Sequence, residues 1–581
     1  MGRWISSPWT HHRFYCTPSR YLIFCKKESQ LPHYNNKNIS EANQPSSLEP
    51  YNLFTTDPVL SEALSVEGAG GEIDNLRNFG AKVGSAETFN WGYLSNRHSP
   101  ELVTHDRFGE RVDEVHYHPS YHSLMNLSIQ SGLHCSHYGS VPGDGGYVSR
   151  MARMFMMAQV EVGHGCSISM TGAVLPALRE QPELAAVWEP RIRTNSYDYR
   201  SINPEKKSGC LLGMGLTERQ GGSDVRANSS TAVPASEDGE GCYHLSGHKW
   251  FTSAPMCDAF LLLANSPRGL SCFLVPRVLL DGTRNSVALM RLKDKLGNRS
   301  NASGEIEYNN AKGWIVGEEG RGVPTIIKMV NATRIDCTTW AVALMRQAVA
   351  QAGWHIANRS AFSKTLIDQP LMENVIADLE VEVEAASHLV FRLAGLYERS
   401  SMGEQEAALA RIGSAVAKYW LSKRSISVVA EALECVGGNG YVEESILPRL
   451  YREAPLNSIW EGAGNVIALD VLRALKRSPN TMEAFIVEVS ELGDGHPVIN
   501  KKLDELKRLL SAQIKEADAR RLVELMAKLW SSALLVNRGE EVVADAYIVS
   551  RLCNDWGNQF GTLSANFTLK NIAQRAVPTR A

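Results

Sequence analysis

Residues Asn457 to Asn465 read NSIWEGAGN, which places one carboxylate, Glu461, between the indole of Trp460 and the glycines Gly462 and Gly464. A carboxylate beside an apolar ring loses hydration and binds its proton more tightly, which suits a base. The same Glu at a turn would equally serve to accept backbone amides. Two further stretches carry hydroxyls and flat rings. In Met214 to Asp224, MGLTERQGGSD, a β-like run opens into a polar turn. Hydroxyls on Thr217 and Ser223, with amides freed by Gly221 and Gly222, suit a ligand of carbonyls and phosphates, although a plain turn has the same pattern. In Gly247 to Ser253, GHKWFTS, strand alternation puts Trp250 and Thr252 on one face. There an indole would cover a planar heteroaromatic and a hydroxyl would bond its edge; a half-buried Trp in a β core reads alike.

These stretches sit in a chain of 581 residues, enough for two to four domains, with 44% apolar and 21% charged residues. From about 51 to 205 the pattern is mostly helical, as in YVSRMARMFMMAQVEVG, where Met151, Met154, Phe155, Ala158 and Val162 recur at helical spacing. Residues 206–312 change to short runs such as DAFLLLAN and LSCFLVP, punctuated by Gly, Asp and Asn, and read as a compact β domain. Helix returns over 313–476. After Pro370 an apolar face runs from Leu371 to Leu393, and Glu373, Asp378, Glu380, Glu382 and Glu384 line the other faces as a solvated surface. A second periodic run stops at Gly437 and Gly438, where a left-handed C-cap is expected. Residues 477–581 add a helical extension with 14 Lys or Arg against 13 Asp or Glu.

The formal charge of −3 gives no global reason to expect nucleic acid or an anionic membrane. Eleven scattered cysteines without a C-x-x-C spacing exclude a disulfide framework and a Cys-type zinc site. His116, His118 and His122 lie close together, but no carboxylate or cysteine completes a ligand set, so no metal is assigned. Nor does any run approach the roughly 18 apolar residues of a membrane span. The first 27 residues hold Arg3, Arg13, Arg20, Lys26 and Lys27 and no acid, which suits a mitochondrial transit peptide. A disordered tail in a cytoplasmic protein is the alternative, and residues up to 50 read as tail or linker.

In order along the chain, MGLTERQGGSD, GHKWFTS, ECVGGNGY and NSIWEGAGN resemble the acyl-CoA dehydrogenase family over roughly 50–475. LKDKLGNRSNAS and LPRLYRE are most similar to its adaptive-response, AidB-like branch. The resemblance implies a mainly α fold with a central β barrel: an N-terminal helical domain, a middle β domain and a C-terminal four-helix bundle. It further implies a homotetramer with FAD at the domain junction. Met214, Gly215, Leu216, Thr217 and Ser223 would meet the flavin or its substrate edge, and Trp250, Phe251 and Thr252 would flank the ring. Arg359 and Gln369 would reach FAD across a subunit interface. Gly437, Gly438, Trp460, Gly462, Gly464 and Asn465 would close around it. GAGNVI lacks the third glycine and the βαβ setting of a Rossmann fingerprint, so another cradle is needed.

Glu461 falls where many family members place the base that removes the α-proton of an acyl-CoA thioester while hydride leaves Cβ for flavin N5. Other members keep the base beside an arginine that corresponds to Arg334; here that neighbour is Thr333, which cannot act so, and Asp336 points elsewhere on the helix. An external acceptor would then take the electrons. The AidB-like branch also implies an alternative: a flavin-containing protein that binds acyl chains or DNA with little turnover. DNA has no support from the charge count, beyond a small local group of Arg449, Arg452, Lys476 and Arg477.

Overall fold

The computed structural model describes residues 43–478, 480–512 and 514–579; the basic segment 1–27 and the tail up to residue 42 lie outside them. Residues from Ser47 onward form one compact unit. Among the described residues no helix is long and apolar enough to cross a membrane.

N-terminal helices surround α1 (Gly146–Val160) and α2 (Gly165–Ala173), both buried along nearly their whole length. The Met-rich stripe of α1 is core. Its start is held from another helix: the Glu398 carboxylate accepts from the amide of Tyr147 in its first turn and from that of Gly143 in the preceding loop. A hairpin of β1 (Glu101–His105) and β2 (Arg111–His116) interrupts this helical layer.

The run-and-turn texture that follows folds into seven strands: β3 (Leu212–Gly215), β4 (Thr231–Pro234), β5 (Cys242–Ser253), β6 (Ala259–Ser266), β7 (Gly269–Pro276), β8 (Val287–Leu292) and β9 (Ser303–Ile315). Pairing runs β6 to β4, β5, β9 and β7 and returns to β6, so the sheet closes into a barrel; β3 joins β6 in parallel and β8 joins β9. Closure leaves few free edges. β6 reads AFLLLANS without alternation because protein covers both its faces, and its first six residues are buried.

Three long helices then make the bundle: α3 (Gly322–Asn358), α4 (Pro370–Arg399) and α5 (Glu404–Cys435). α5 ends before Gly437, whose φ of 64° is positive as expected but whose ψ of −144° is not that of a left-handed helix cap. A fourth helix, α6 (Gly464–Arg477), follows the NSIWEGAGN turn. The extension adds helices at Asn480–Leu492 and Pro497–Ser511, then α7 (Ala519–Arg538), and packs on α4, α5 and α6. Trp530 of α7 is fully buried against Gly413 of α5, where a Cβ would come within 2.6 Å of the indole. Such burial contributes roughly 3 kcal/mol.

Of the acids expected on the solvated surface of α4, Glu373 is half-buried and the other four do not face water. Asp378, Glu380, Glu382 and Glu384 are all buried, at most 1% exposed. Arg551 of the extension bonds Asp378 and Glu382 (2.5 and 3.1 Å), and Arg575 bonds Glu384 at 2.5 Å. Arg424 of α5 takes the other side of Glu382, and Arg346 of α3 lies 3.5 Å from Glu380. Helical periodicity finds the apolar stripe, but it cannot show that a distant segment returns to cover the acidic one.

Candidate active site

Glu461 sits on the turn into α6 with φ 54°, followed by Gly462 at φ 111°. Left-handed backbone is unfavourable for a residue with a Cβ, so neighbouring groups must hold this turn. Two cations do so. Arg334 of α3 donates through Nε to the Glu461 carbonyl at 2.9 Å, and Lys418 of α5 donates to the Gly462 carbonyl at 2.5 Å. Arg334 also pairs with Asp470 of α6 at 3.1 Å, and Asp470 takes Arg411 at 2.8 Å.

Trp460 is fixed by its Nε1 on Asn457 Oδ1 at 3.1 Å and by the indole of Trp340, 5.4 Å away between centroids. Gly165 of α2 lets Trp340 approach, since a Cβ there would lie 3.2 Å from the ring. Burial raises the Glu461 pKa above the usual carboxylate value, while Arg334, the Thr333 hydroxyl and Lys418 oppose the rise. Cys166 lies between this carboxylate and the barrel: burial pushes its thiol up to about 11, Lys295 and the Ser253 hydroxyl oppose, and Glu461 adds to the rise. Asp336 turns away, bound through both oxygens to Arg150 at 2.8 Å.

On the barrel, Met214 and Gly215 end β3, and Leu216 and Thr217 continue toward β5, where Thr217 bridges Phe251 and its carbonyl accepts from Trp250 N at 2.7 Å. Gly222 packs on the Thr217 hydroxyl, at 2.4 Å for a Cβ, and Ser223 is exposed in the loop beyond. This loop is anchored from below: the buried Glu218 bonds Lys249 Nζ at 2.6 Å and accepts from Ser229 and Ser230.

Alternation fails in GHKWFTS. A bulge between Lys249 and Thr252 inserts an extra residue into β5. Lys249 and Thr252 both turn into the barrel, where a Cβ on Gly215 would meet Thr252 Oγ1 at 2.9 Å and Lys249 Cγ at 3.3 Å. Trp250 stays outside, its ring covered by Lys293 Nζ at 3.4 Å and flanked by Arg219 and Arg291. Phe251 beside it is 46% exposed. Trp250 and Thr252 therefore do not share a face.

Arg359, Gln369, Gly437 and Gly438 lie toward the other end of the bundle. Arg359 follows Arg334 by about 37 Å of helix, and Gly437 follows Lys418 by about 28 Å. Gln369 stands with Arg359 across a small hairpin, its Nε2 on the Ala361 carbonyl at 2.9 Å, whose tip Phe362–Ser363 has φ of 51° and 63°. Phe362 is 94% exposed there. Gly437 and Gly438 have open space where a Cβ would stand. Gly464 and Asn465 remain near Glu461 at the start of α6: a Cβ on Gly464 would lie 3.2 Å from Lys423 Nζ, and Asn465 accepts from Arg520 at 2.8 Å.

His116 pairs with the Glu114 carboxylate at 3.1 Å. His118 caps a helix and stacks on His98, and His122 bonds the Tyr197 hydroxyl at 2.9 Å. Tyr117 instead joins the N-terminal layer to the barrel through Met256 Sδ. Nor do the four candidate DNA contacts form one patch. Arg449 turns inward onto the Val160 carbonyl and Arg452 is paired with Glu443, while Lys476 and Arg477 are exposed at the end of α6. Sequence reasoning missed Lys418, Trp340, Cys166 and the Lys249–Glu218 pair. The available signal was a lone lysine in the apolar stretch Ala415-Val416-Ala417-Lys418.

Comparison with known proteins accounts for this arrangement. The adaptive response protein AidB N-terminal domain matches residues 43–199, and the middle and C-terminal domains of acyl-CoA dehydrogenase match 213–311 and 320–476. Escherichia coli AidB is 45% identical over 449 residues, spanning 76% of this chain and 82% of its own. Among solved structures, Caenorhabditis elegans ACDH-11 in complex with C11-CoA superposes with a TM-score of 0.79 at 26% identity, over 92% of this chain and 93% of that one. A Bacillus anthracis acyl-CoA dehydrogenase complexed with FAD shares the fold at 17% identity and a TM-score of 0.66, over 86% and 88% of the two chains. Helical layer, closed barrel and bundle thus follow one another as in those proteins, and this chain belongs to the acyl-CoA dehydrogenase family, in its AidB branch.

Proposed function

We propose that this protein oxidises an acyl-CoA thioester to the trans-2-enoyl thioester, with Glu461 as the base. The observation that carries the reading is the Glu461 turn: a half-buried carboxylate with raised proton affinity, held out on a strained backbone whose own carbonyls are bound by Arg334 and Lys418. Such a group takes a weakly acidic α-proton more readily than an exposed carboxylate. Bound FAD would supply the acceptor for the hydride that leaves Cβ and Glu461 would take the α-proton, so that two C–H bonds break and one C=C bond forms. An external acceptor then reoxidises the flavin. That the nematode relative is seen with C11-CoA supports an acyl-CoA ligand.

The residues fit FAD in two places. Trp250 and the Met214–Thr217 segment offer a ring and backbone polar groups on the barrel, while the start of α6, with Lys423 and Arg520 beside it, suits phosphates. Thr252, turned into the barrel, lies against Gly215, and its Oγ1 has no hydrogen-bond partner among the described residues. Arg359, Gln369, Gly437 and Gly438 lie too far along the bundle to reach the same molecule from one protomer. Their open glycines and the exposed Phe362 hairpin suit a second protomer's cofactor, which favours a dimer-based assembly and, by family likeness, a tetramer.

Anaerobic addition of an acyl-CoA panel to the FAD-loaded protein tests the reaction. Bleaching of the flavin by at least one thioester, lost in Glu461→Gln, is the expected result. Binding without bleaching across the whole panel would instead favour a flavin-containing binding protein, and bleaching at the wild-type rate in Glu461→Gln would remove the base assignment.

A further inference from the structure

Lys418 is 1% exposed, in the middle of α5. Burying an ammonium is costly unless a partner compensates it. Among the described residues this one makes a single hydrogen bond, to the Gly462 carbonyl at 2.5 Å, and no ion pair. The charged and titratable groups that face it are Glu461 on the turn, Arg334 and Cys337 from α3, and Lys423 further along α5. Its situation differs from that of Arg334, whose charge is matched by Asp470 and shared through Arg411. Among the described residues, Glu461 is the carboxylate that faces Lys418.

We propose that Lys418 is a positioning residue for the base, its buried ammonium locking the Glu461–Gly462 turn through the Gly462 carbonyl and presenting an unmatched positive charge to the Glu461 carboxylate. This inference rests on the reading of Glu461 as the base. Burial brings the lysine itself down to about 8, with Cys337 and Glu461 opposing that effect and Arg334 and Lys423 adding to it, so the charge is present at neutral pH. A cation beside a carboxylate stabilises the ionised form, which opposes the effect of burial on Glu461. Without it the carboxylate would hold its proton to higher pH and the turn would lose one of its two tethers.

The carboxyl C=O band of Glu461 provides a measurement that does not require turnover. It is isolated by infrared difference between each FAD-loaded protein and the matching Glu461→Gln variant, and followed against pH. Lys418→Gln, which keeps a donor but no charge, and Lys418→Met should both move the titration midpoint upward by about one unit or more. Lys418→Arg should bring it back toward wild type. A midpoint unchanged in both neutral variants would overturn the proposal, since a merely structural lysine would lower stability without moving the titration. In parallel, the pH at which the acyl-CoA bleaching rate reaches half its maximum should shift in the same direction. If bleaching survives Glu461→Gln while the infrared midpoint still moves, the base reading fails and the electrostatic coupling stands.

Discussion

Replacing Arg551 by Met tests whether the extension is a necessary cover for α4. Arg551 is 2% exposed and bonds Asp378 Oδ1 at 2.5 Å and Glu382 Oε2 at 3.1 Å. Removing one partner of a buried ion pair typically costs about 3–5 kcal/mol. Both acids keep other partners. Asp378 still accepts from Trp556 Nε1 at 3.0 Å and Gly561 N at 2.9 Å, and Glu382 still has Arg424 at 2.9 Å. That places the electrostatic loss at the lower end, about 3 kcal/mol. The guanidinium also stands 4.2 Å over the Trp556 ring. Losing that contact adds about 1 kcal/mol, for about 4 in all. Urea unfolding of the FAD-loaded protein, followed by circular dichroism and Trp fluorescence, should show this loss. The double variant Arg551→Met with Asp378→Asn should recover about half, because the unpaired charge is gone. A loss below about 1 kcal/mol, or a double variant as unstable as the sum of the singles, would refute the view that these acids depend on the extension.

Gly395→Ala should destabilise by about 3 kcal/mol or more, since its Cβ would lie 1.8 Å from Glu67 Oε2, a carboxylate already pinned by Arg392, Arg399 and Arg538; thermal melts measure it. In Lys249→Met the buried Glu218 loses its cation and the loop beneath MGLT loosens, so the ratio of flavin to protein absorbance after gel filtration should fall; unchanged flavin retention would count against the anchoring role. Burial raises the Glu380 carboxyl to about 8 although Arg346 opposes it. Its folded-state proton affinity exceeds the unfolded one, so its contribution to stability is present below pH 4.5 and is lost as pH rises to about 8. Glu380→Gln should flatten that decline in a pH series of urea midpoints.

What could be read from sequence was local. α1, β6 and α4 each declare themselves by periodicity or by an unbroken apolar run, and the NSIWEGAGN turn declares a carboxylate beside an indole. What could not be read depends on chain segments that meet only in space. The bulge after Lys249 is set by β5 pairing with β9, so strand alternation placed Thr252 on the wrong side. The acids of α4 read as surface because Arg551 and Arg575 come from a part of the chain more than 160 residues away. Lys418 went unnoticed because its acceptor is a backbone carbonyl, which has no signature in sequence.

A base must be both held and reactive. Had Arg334 or Lys418 bonded the Glu461 carboxylate directly, the ion pair would lower its proton affinity by about one to three pH units and occupy the oxygens that must meet the substrate. Both cations bind main-chain oxygens instead, Arg334 on residue 461 and Lys418 on residue 462. Those bonds offset the strain of a non-glycine residue at φ 54°, which is of order 1–3 kcal/mol. They act on the carboxylate only through space. The side chain is therefore fixed by its backbone, made basic by burial and moderated by charge, three effects that separate substitutions at Gly462, Trp460 and Lys418 would resolve. Gly462→Ala should disturb geometry first, because φ 111° is open to glycine alone, and a Cβ would meet Ile467 at 2.8 Å. Trp460→Ala should admit water and lower the proton affinity of Glu461, the opposite sign to the effect of removing the Lys418 charge. If both variants moved the Glu461 titration in the same direction, burial and charge would not be the opposing influences that this geometry requires.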